Sequence, residues 1–309
     1  MAKKVYEEAN IAAIAQKIRD KAEIDTTYTT AEMPNGIDEV YEKGYTKGKS
    51  EGGSSGSNKL AQFIDRTVTE IMAEDLAGVT EIGVSAFSGC YKLTSVAIPN
   101  NITLIGANAF SGCRNIKGVY IDDIASWCNK TFGYSGGVTG IGSTNPSAVA
   151  KGKLYVNGVL LTELVLDGDK INEVSAGAFM YNEDLKRLII SGNPQLSQFS
   201  FDNSGLESID LGTEITKIDR VFSDCKKLTS IEIPNSVTSI VDYAFFNCVN
   251  LAKARIGNGV ETIGNNAFRN CSALTDIYID KPEGSITGAP WGAPNSPTIH
   301  WNTPLPTEE

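Results

Sequence analysis

The chain has 309 residues, 41% of them hydrophobic and 21% charged, which is ample for a large buried core. A net charge of −10 excludes a phosphate-driven nucleic-acid binder and argues against an anionic membrane surface as partner. No run approaches the ~18 apolar residues of a transmembrane helix, so membrane insertion is not expected.

The opening MAKKVYEEANIAAIAQ has two lysines but no uninterrupted apolar core and no small-residue cleavage site. It reads as mature protein and not as a signal peptide. Residues 5–23 carry Ile11, Ile14, Ala15, Ile18 and Ala22 on one face at helical spacing. Thr29-Thr30-Ala31-Glu32 has capping-box form for a second helix, with Pro34 at or resetting its first turn. Gly44, Gly48 and Gly52 follow four apart, with Tyr41 and Tyr45 nearby. They read as a fraying helix entering a linker, with a close helix–helix contact as the alternative. The run GGSSGSN at 52–58 is a flexible joint. Residues 1–57 are therefore expected to form a helical attachment or self-association segment, followed by a separate body over 58–309.

The body is repetitive. Phe87 and Phe110 stand 23 residues apart, as do Phe222 and Phe245, and Phe245 and Phe268; Phe179 and Phe201 fit with small slips. A fixed period in this range marks a solenoid, in which each unit buries its face only against its neighbours. Each unit holds two apolar phrases. One is L-x-x-I-x-I, as in Leu228, Ile231 and Ile233, whose last positions alternate at strand spacing. The other is V-x-x-I-x-x-x-x-F, as in Val260, Ile263 and Phe268. Pro99 and Pro234 mark turns between phrases.

Between Ile121 and Leu161 the repeat breaks. This insert, at about 122–160, has a Gly/Ser/Thr-rich, loop-like middle, and Leu154 to Leu160 around Asn157-Gly158 signals a hairpin. It reads as an irregular repeat tolerated at a surface, with a functional lobe as the alternative. At about 281–303 the stretch SITGAPWGAPNSPTIHW carries Trp291 and Trp301, expected to cover the open end of the solenoid. Carbohydrate stacking is the alternative for these two rings.

This pattern resembles the BspA-like class of leucine-rich repeat over about residues 76–280. The resemblance implies a β-rich, right-handed α/β repeat solenoid whose L-x-x-I-x-I strands form a parallel sheet. The phrases IAAIAQKIRDKAE, TTAEM and YEKGYTKG resemble segments of tail-associated proteins of phages and prophages of Gram-positive gut bacteria. IDRTVTEIMAEDLAGVTEIGVSAF and GAPWGAPNSPTIHWN resemble the entry to, and the cap of, their leucine-rich repeats.

Catalytic signatures are missing from the sequence. The lone His300 has no Cys or Ser at triad spacing. Five of six cysteines (Cys90, Cys113, Cys225, Cys248 and Cys271) stand three residues after the repeat Phe, where Asn182 and Ser204 also occur. That slot calls for a small, buried, hydrogen-bonding turn residue and not for a zinc pair. Cys128 is off-register and is the candidate reactive thiol. No P-loop, G-x-G-x-x-G or G-x-S-x-G appears, and no cofactor or metal site is expected.

The strand phrase also dictates what points outward. One exposed row runs Ala97, Tyr120, Val165, Ile189, Asp210, Glu232, Arg255 and Tyr278. A second runs Ser95, Gly118, Glu163, Arg187, Ser208, Ser230, Lys253 and Asp276. Tyr120, Val165 and Ile189 are expected to neighbour one another as an apolar stripe, followed by an acidic pair, then Arg255 and Tyr278. Such a row suits a protein or cell-surface glycan ligand. The sequence thus reads as a non-catalytic binding protein, tail-associated or host-recognising, in a virion or in a cytoplasm before lysis. A surface adhesin is the alternative if an export signal lies outside this chain. A glycan-active enzyme is a third reading and would need two carboxylates about 5–9 Å apart.

Overall fold

The computed structural model describes residues 66–133, 145–149 and 153–303. The expected segment 1–57, its joint and the middle of the insert lie outside the described residues. The described part falls into two compact units, one of 66–122, 132–133 and 145–149 and one of 123–131 and 153–303.

Both units are built from parallel solenoid turns with little helix. In the first, strands Glu70–Ile71, Ser95–Ala97 and Gly118–Ile121 pair in parallel, with Ile71 opposite Val96 and Val96 opposite Val119. A second rank pairs Glu81–Ile82 with Leu104–Ile105. In the second unit Glu163–Asp167, Arg187–Ser191 and Ser208–Asp210 form one parallel sheet. Ser230–Ile233, Lys253–Ile256, Asp276–Ile279 and Thr298–Trp301 form another. Its second rank includes Lys217–Ile218, Ser239–Ile240 and Thr262–Ile263, again parallel.

Register follows from burial. Shifting a strand by one residue would turn its Ile positions to solvent, so the alternation locks the ladder. Leu228, Ile233 and Phe245 have no exposed surface and Ile231 has 3%. The repeat phenylalanines stack along each unit: Phe87 on Phe110 at 5.3 Å, then Phe179, Phe201, Phe222, Phe245 and Phe268 at 5.2–5.9 Å. Ring spacing follows the distance between turns, so each Phe fills the gap left by the one before.

The residue two after each Phe takes a left-handed conformation: Gly89, Gly112, Tyr181, Asn203, Asp224, Asn247 and Asn270. Six of these are Gly, Asn or Asp, the types that enter this region at least cost. The next residue is the shared Cys slot, from which thiols bond one turn back. Cys113 Sγ donates to Phe87 O at 2.9 Å, Cys248 Sγ to Phe222 O at 3.2 Å, and Cys271 Sγ to Phe245 O at 3.1 Å. Ser204 Oγ lies 3.4 Å from Cys225 Sγ. Asn182 accepts from Leu185 N, but its amide Nδ2 is buried without a partner. A larger amide thus fits the slot less completely than a thiol does. Backbones also meet closely between turns: a Cβ at Gly259 would run into Asn235 O.

The insert is more ordered at its ends than its composition suggests. Asp123 caps a short helix, Ile124–Cys128, accepting from Ala125 N at 3.2 Å and Ser126 N at 2.8 Å. That helix buries Trp127 fully, and its Nε1 donates to Ala178 O at 2.9 Å. The Asn157-Gly158 turn joins Leu154–Val156 to Val159–Leu160 as an antiparallel hairpin, both turn residues having positive φ. At the C-terminal end Trp291 is fully buried, and its carbonyl accepts from Phe268 N at 3.1 Å. Trp301 is half-buried on the last strand, opposite Ile279. Burial leaves Trp291 no ring face for a sugar.

Candidate functional site

In the second unit Val165 stands opposite Ile189, Ile189 opposite Asp210, Glu232 opposite Arg255, and Arg255 opposite Tyr278. Asp210 and Glu232 lie on adjacent strands that pack together without ladder bonds, and both are exposed. The ladder is interrupted between Ser208–Asp210 and Ser230–Ile233. Ile209, an expected inward position, is accordingly half-buried.

Tyr120 pairs with Ala97 in the first unit, and Val165 pairs with Ile189 in the second. Tyr120 and Val165 remain exposed, at 41% and 53%.

The row also runs one residue further than the repeat grammar indicated. His300 stands opposite Tyr278. Its ring stacks on Tyr278 at 4.4 Å and 10°, and the Arg255 guanidinium lies 4.6 Å over the other ring. His300 Nε2 meets Asp276 Oδ1 at 2.9 Å, and Thr275 Oγ1 donates to Asp276 Oδ2 at 2.8 Å. These contacts, His300 first, hold the Asp276 carboxyl below its usual range. Arg255, Tyr278 and His300 thus form a cation–aromatic column whose rotamers are fixed before any ligand arrives. Farther along the second row Arg187 and Glu163 form an exposed ion pair at 3.4 Å. The sequence signal for His300 was its place in TIHW, a strand phrase without the repeat's Leu.

The cysteines are free and buried. Desolvation pushes the thiols of Cys128, Cys225 and Cys271 up to about 12. Cys128, the expected reactive thiol, is fully buried and further disfavoured as thiolate by Asp123, so it is part of the core. Lys130 is 1% exposed, with Nζ 3.2 Å from Ser126 Oγ. Burial pushes it down to about 8 while Asp123 opposes the shift. It is too enclosed to meet a substrate. Among the described residues no group of three or more His, Cys, Asp or Glu is arranged to hold a metal.

The parallel ladders, the stacked Phe turn and the ordered outer row define a leucine-rich repeat solenoid with an exposed strand face. The model of the BspA type leucine rich repeat region matches in six copies over residues 62–186, 144–221 and 194–288, and the chain belongs to that family. No curated protein matches the chain. Among solved structures it is similar to a leucine rich cell surface protein from Faecalibacterium prausnitzii, at 20% identity over 67% of this chain and 84% of that one, with a TM-score of 0.31. A leucine-rich repeat protein from Bacteroides ovatus is 18% identical over 76% of this chain and 70% of that one, with a TM-score of 0.41. The pneumococcal vaccine antigen PcpA is 18% identical over 72% and 60%, with a TM-score of 0.41.

Proposed function

We propose that the protein is a non-catalytic binding protein that presents the strand face of its second unit to a protein partner. The Arg255–Tyr278–His300 column carries this reading. Arg and Tyr are the residue types that dominate binding hot spots, and pre-ordering lowers the entropy lost on association. The column covers both faces of the Tyr278 ring, leaving its edge and hydroxyl for a ligand. That favours protein contacts over sugar stacking, which needs an open ring face. Exposed Asp210 and Glu232 beside it give the surface a polarity that would orient a basic segment of the partner.

The setting we favour is a phage tail-associated, host-recognising protein, within a virion or in the cytoplasm before lysis. The phrases IAAIAQKIRDKAE and YEKGYTKG support it. Residues 1–57 would then attach the chain to the virion or to further copies. A surface adhesin fits the family membership equally, and the neighbouring genes discriminate: tail and lysis genes support the first reading. The binding role is tested with fluorescent full-length protein on Gram-positive gut bacteria and on host matrix protein. Arg255→Ala and Tyr278→Ala should each weaken capture about tenfold, equivalent to ~1.4 kcal/mol. Unchanged capture by the doubly substituted chain would remove the strand face from the account.

A further inference from the structure

A second ladder, on the Phe turn, departs from the repeat in one place. The position two before the repeat Phe is Ser85, Asn108 or Gly177 in three turns, each with positive φ. In the following three turns it is Phe199, Arg220 and Tyr243. Phe199 and Tyr243 keep the left-handed backbone, at φ 61 and φ 65. Bulky aromatic side chains rarely accept that conformation, and they persist in it where a function retains them.

The three side chains form a sandwich. The Arg220 guanidinium lies 4.8 Å over the Phe199 ring and 5.0 Å over the Tyr243 ring. Phe246 meets Tyr243 edge-on at 5.7 Å. All four are half-buried. Among the described residues no carboxylate lies within ion-pair distance of Arg220, and its Nε is buried without a hydrogen-bond partner. The nearby acids are committed elsewhere. Asp219 is held by Lys217 at 2.9 Å, by Gln198 and by the backbone N–H of Arg220. Asp224 is held by Lys226 at 3.2 Å and by Asn247. Asp202 accepts from Ser223 and feels the Arg220 charge without an ion pair to it.

We infer that Phe199, Arg220, Tyr243 and Phe246 form a second docking site, for an acidic peptide segment of a protein partner. A carboxylate of that segment would pair with Arg220 while a neighbouring apolar side chain packs on Phe246 and Tyr243. Charge complementarity sets the sign: a cation ordered by two aromatic faces, with no acid at ion-pair distance among the described residues, is completed by an anion. The site is distinct from the strand face and does not depend on it.

The test is selection of displayed random 12-residue peptides on the full-length chain, followed by affinities of the recovered peptides. Recovered sequences should be enriched in Asp or Glu beside Leu, Ile or Phe. Arg220→Gln and Tyr243→Asn should each weaken them at least about tenfold, with cooperative unfolding retained. Arg220→Lys, which keeps the charge but loses the planar stack, should fall between. Arg255→Ala on the strand face should leave them unchanged. Recovery of no peptides, of peptides without acidic enrichment, or of peptides indifferent to Arg220→Gln would overturn the proposal. So would binding of sialylated glycans alone, which would make this an acidic-sugar site.

Discussion

The strand face and the Phe turn of the second unit solve the same problem with different backbones. Both carry columns of side chains one turn apart, and both hold an Arg against aromatic rings. On the strand face Tyr278 and His300 sit on extended backbone, where aromatics are favoured. On the Phe turn, Phe199, Tyr243 and Tyr181 sit on left-handed backbone, where Gly and Asn would fit without strain. A repeat protein makes columns by default, so a column on relaxed backbone is weak evidence of use. An aromatic column that costs backbone strain of order 1–3 kcal/mol per residue is stronger evidence.

The comparison breaks first if the Phe turn is not the core. Phe245→Ala should lose about 3–5 kcal/mol, because neighbouring rings at 5.6 and 5.9 Å cannot close the gap. Chemical denaturation measures it, and a loss below about 1 kcal/mol would mean the turns unfold independently.

Next comes Asp202, 7% exposed on the same turn. Burial, then the charge of Asp224, raises it to about 7, against the bonds and charges of Ser223, Arg220 and Lys226. Its folded value lies above the unfolded value of about 3.9, so the ionised form disfavours folding. The penalty is full above pH 7 and is relieved as pH falls from about 7 toward 4. Asp202→Asn should therefore stabilise the chain by roughly 1–3 kcal/mol at pH 8 and by little at pH 4. Thermal unfolding across that range checks the sign.

The thiol slot gives a smaller effect. Cys248→Ser keeps a donor for Phe222 O and should cost less than Cys248→Val, which strands that buried carbonyl at about 1–3 kcal/mol. Smallest is Tyr181→Asn, which places at this position the residue found at Asn203, Asn247 and Asn270. Relief of strain should offset the lost ring and leave stability within about 1 kcal/mol, measured by the same denaturation.

Much of this was legible because a repeat writes each contact several times. The inward Leu and Ile positions, the outward row from Val165 to Tyr278, and the Cys slot all follow from a strand period of two and a turn period near 23. The Asn157-Gly158 hairpin carried its own turn chemistry. What stayed hidden lacks repetition. Trp127 enters the core from inside the insert, where only Asp123 signals a helix start. His300 joins the outer row through a strand that has lost the repeat's leucine. Phe199, Arg220 and Tyr243 meet because the turns align residues 21 and 23 apart, and no linear motif encodes that meeting.

The most direct measurement is a mutational scan of every exposed position in the full-length chain, sorted separately for folding and for capture by cells that bind the wild type. The account expects substitutions that fold but fail to bind to concentrate at Asp210, Glu232, Arg255, Tyr278 and His300, with a separate group at Phe199, Arg220, Tyr243 and Phe246. Binding losses scattered over both units, or confined to the first, would contradict it.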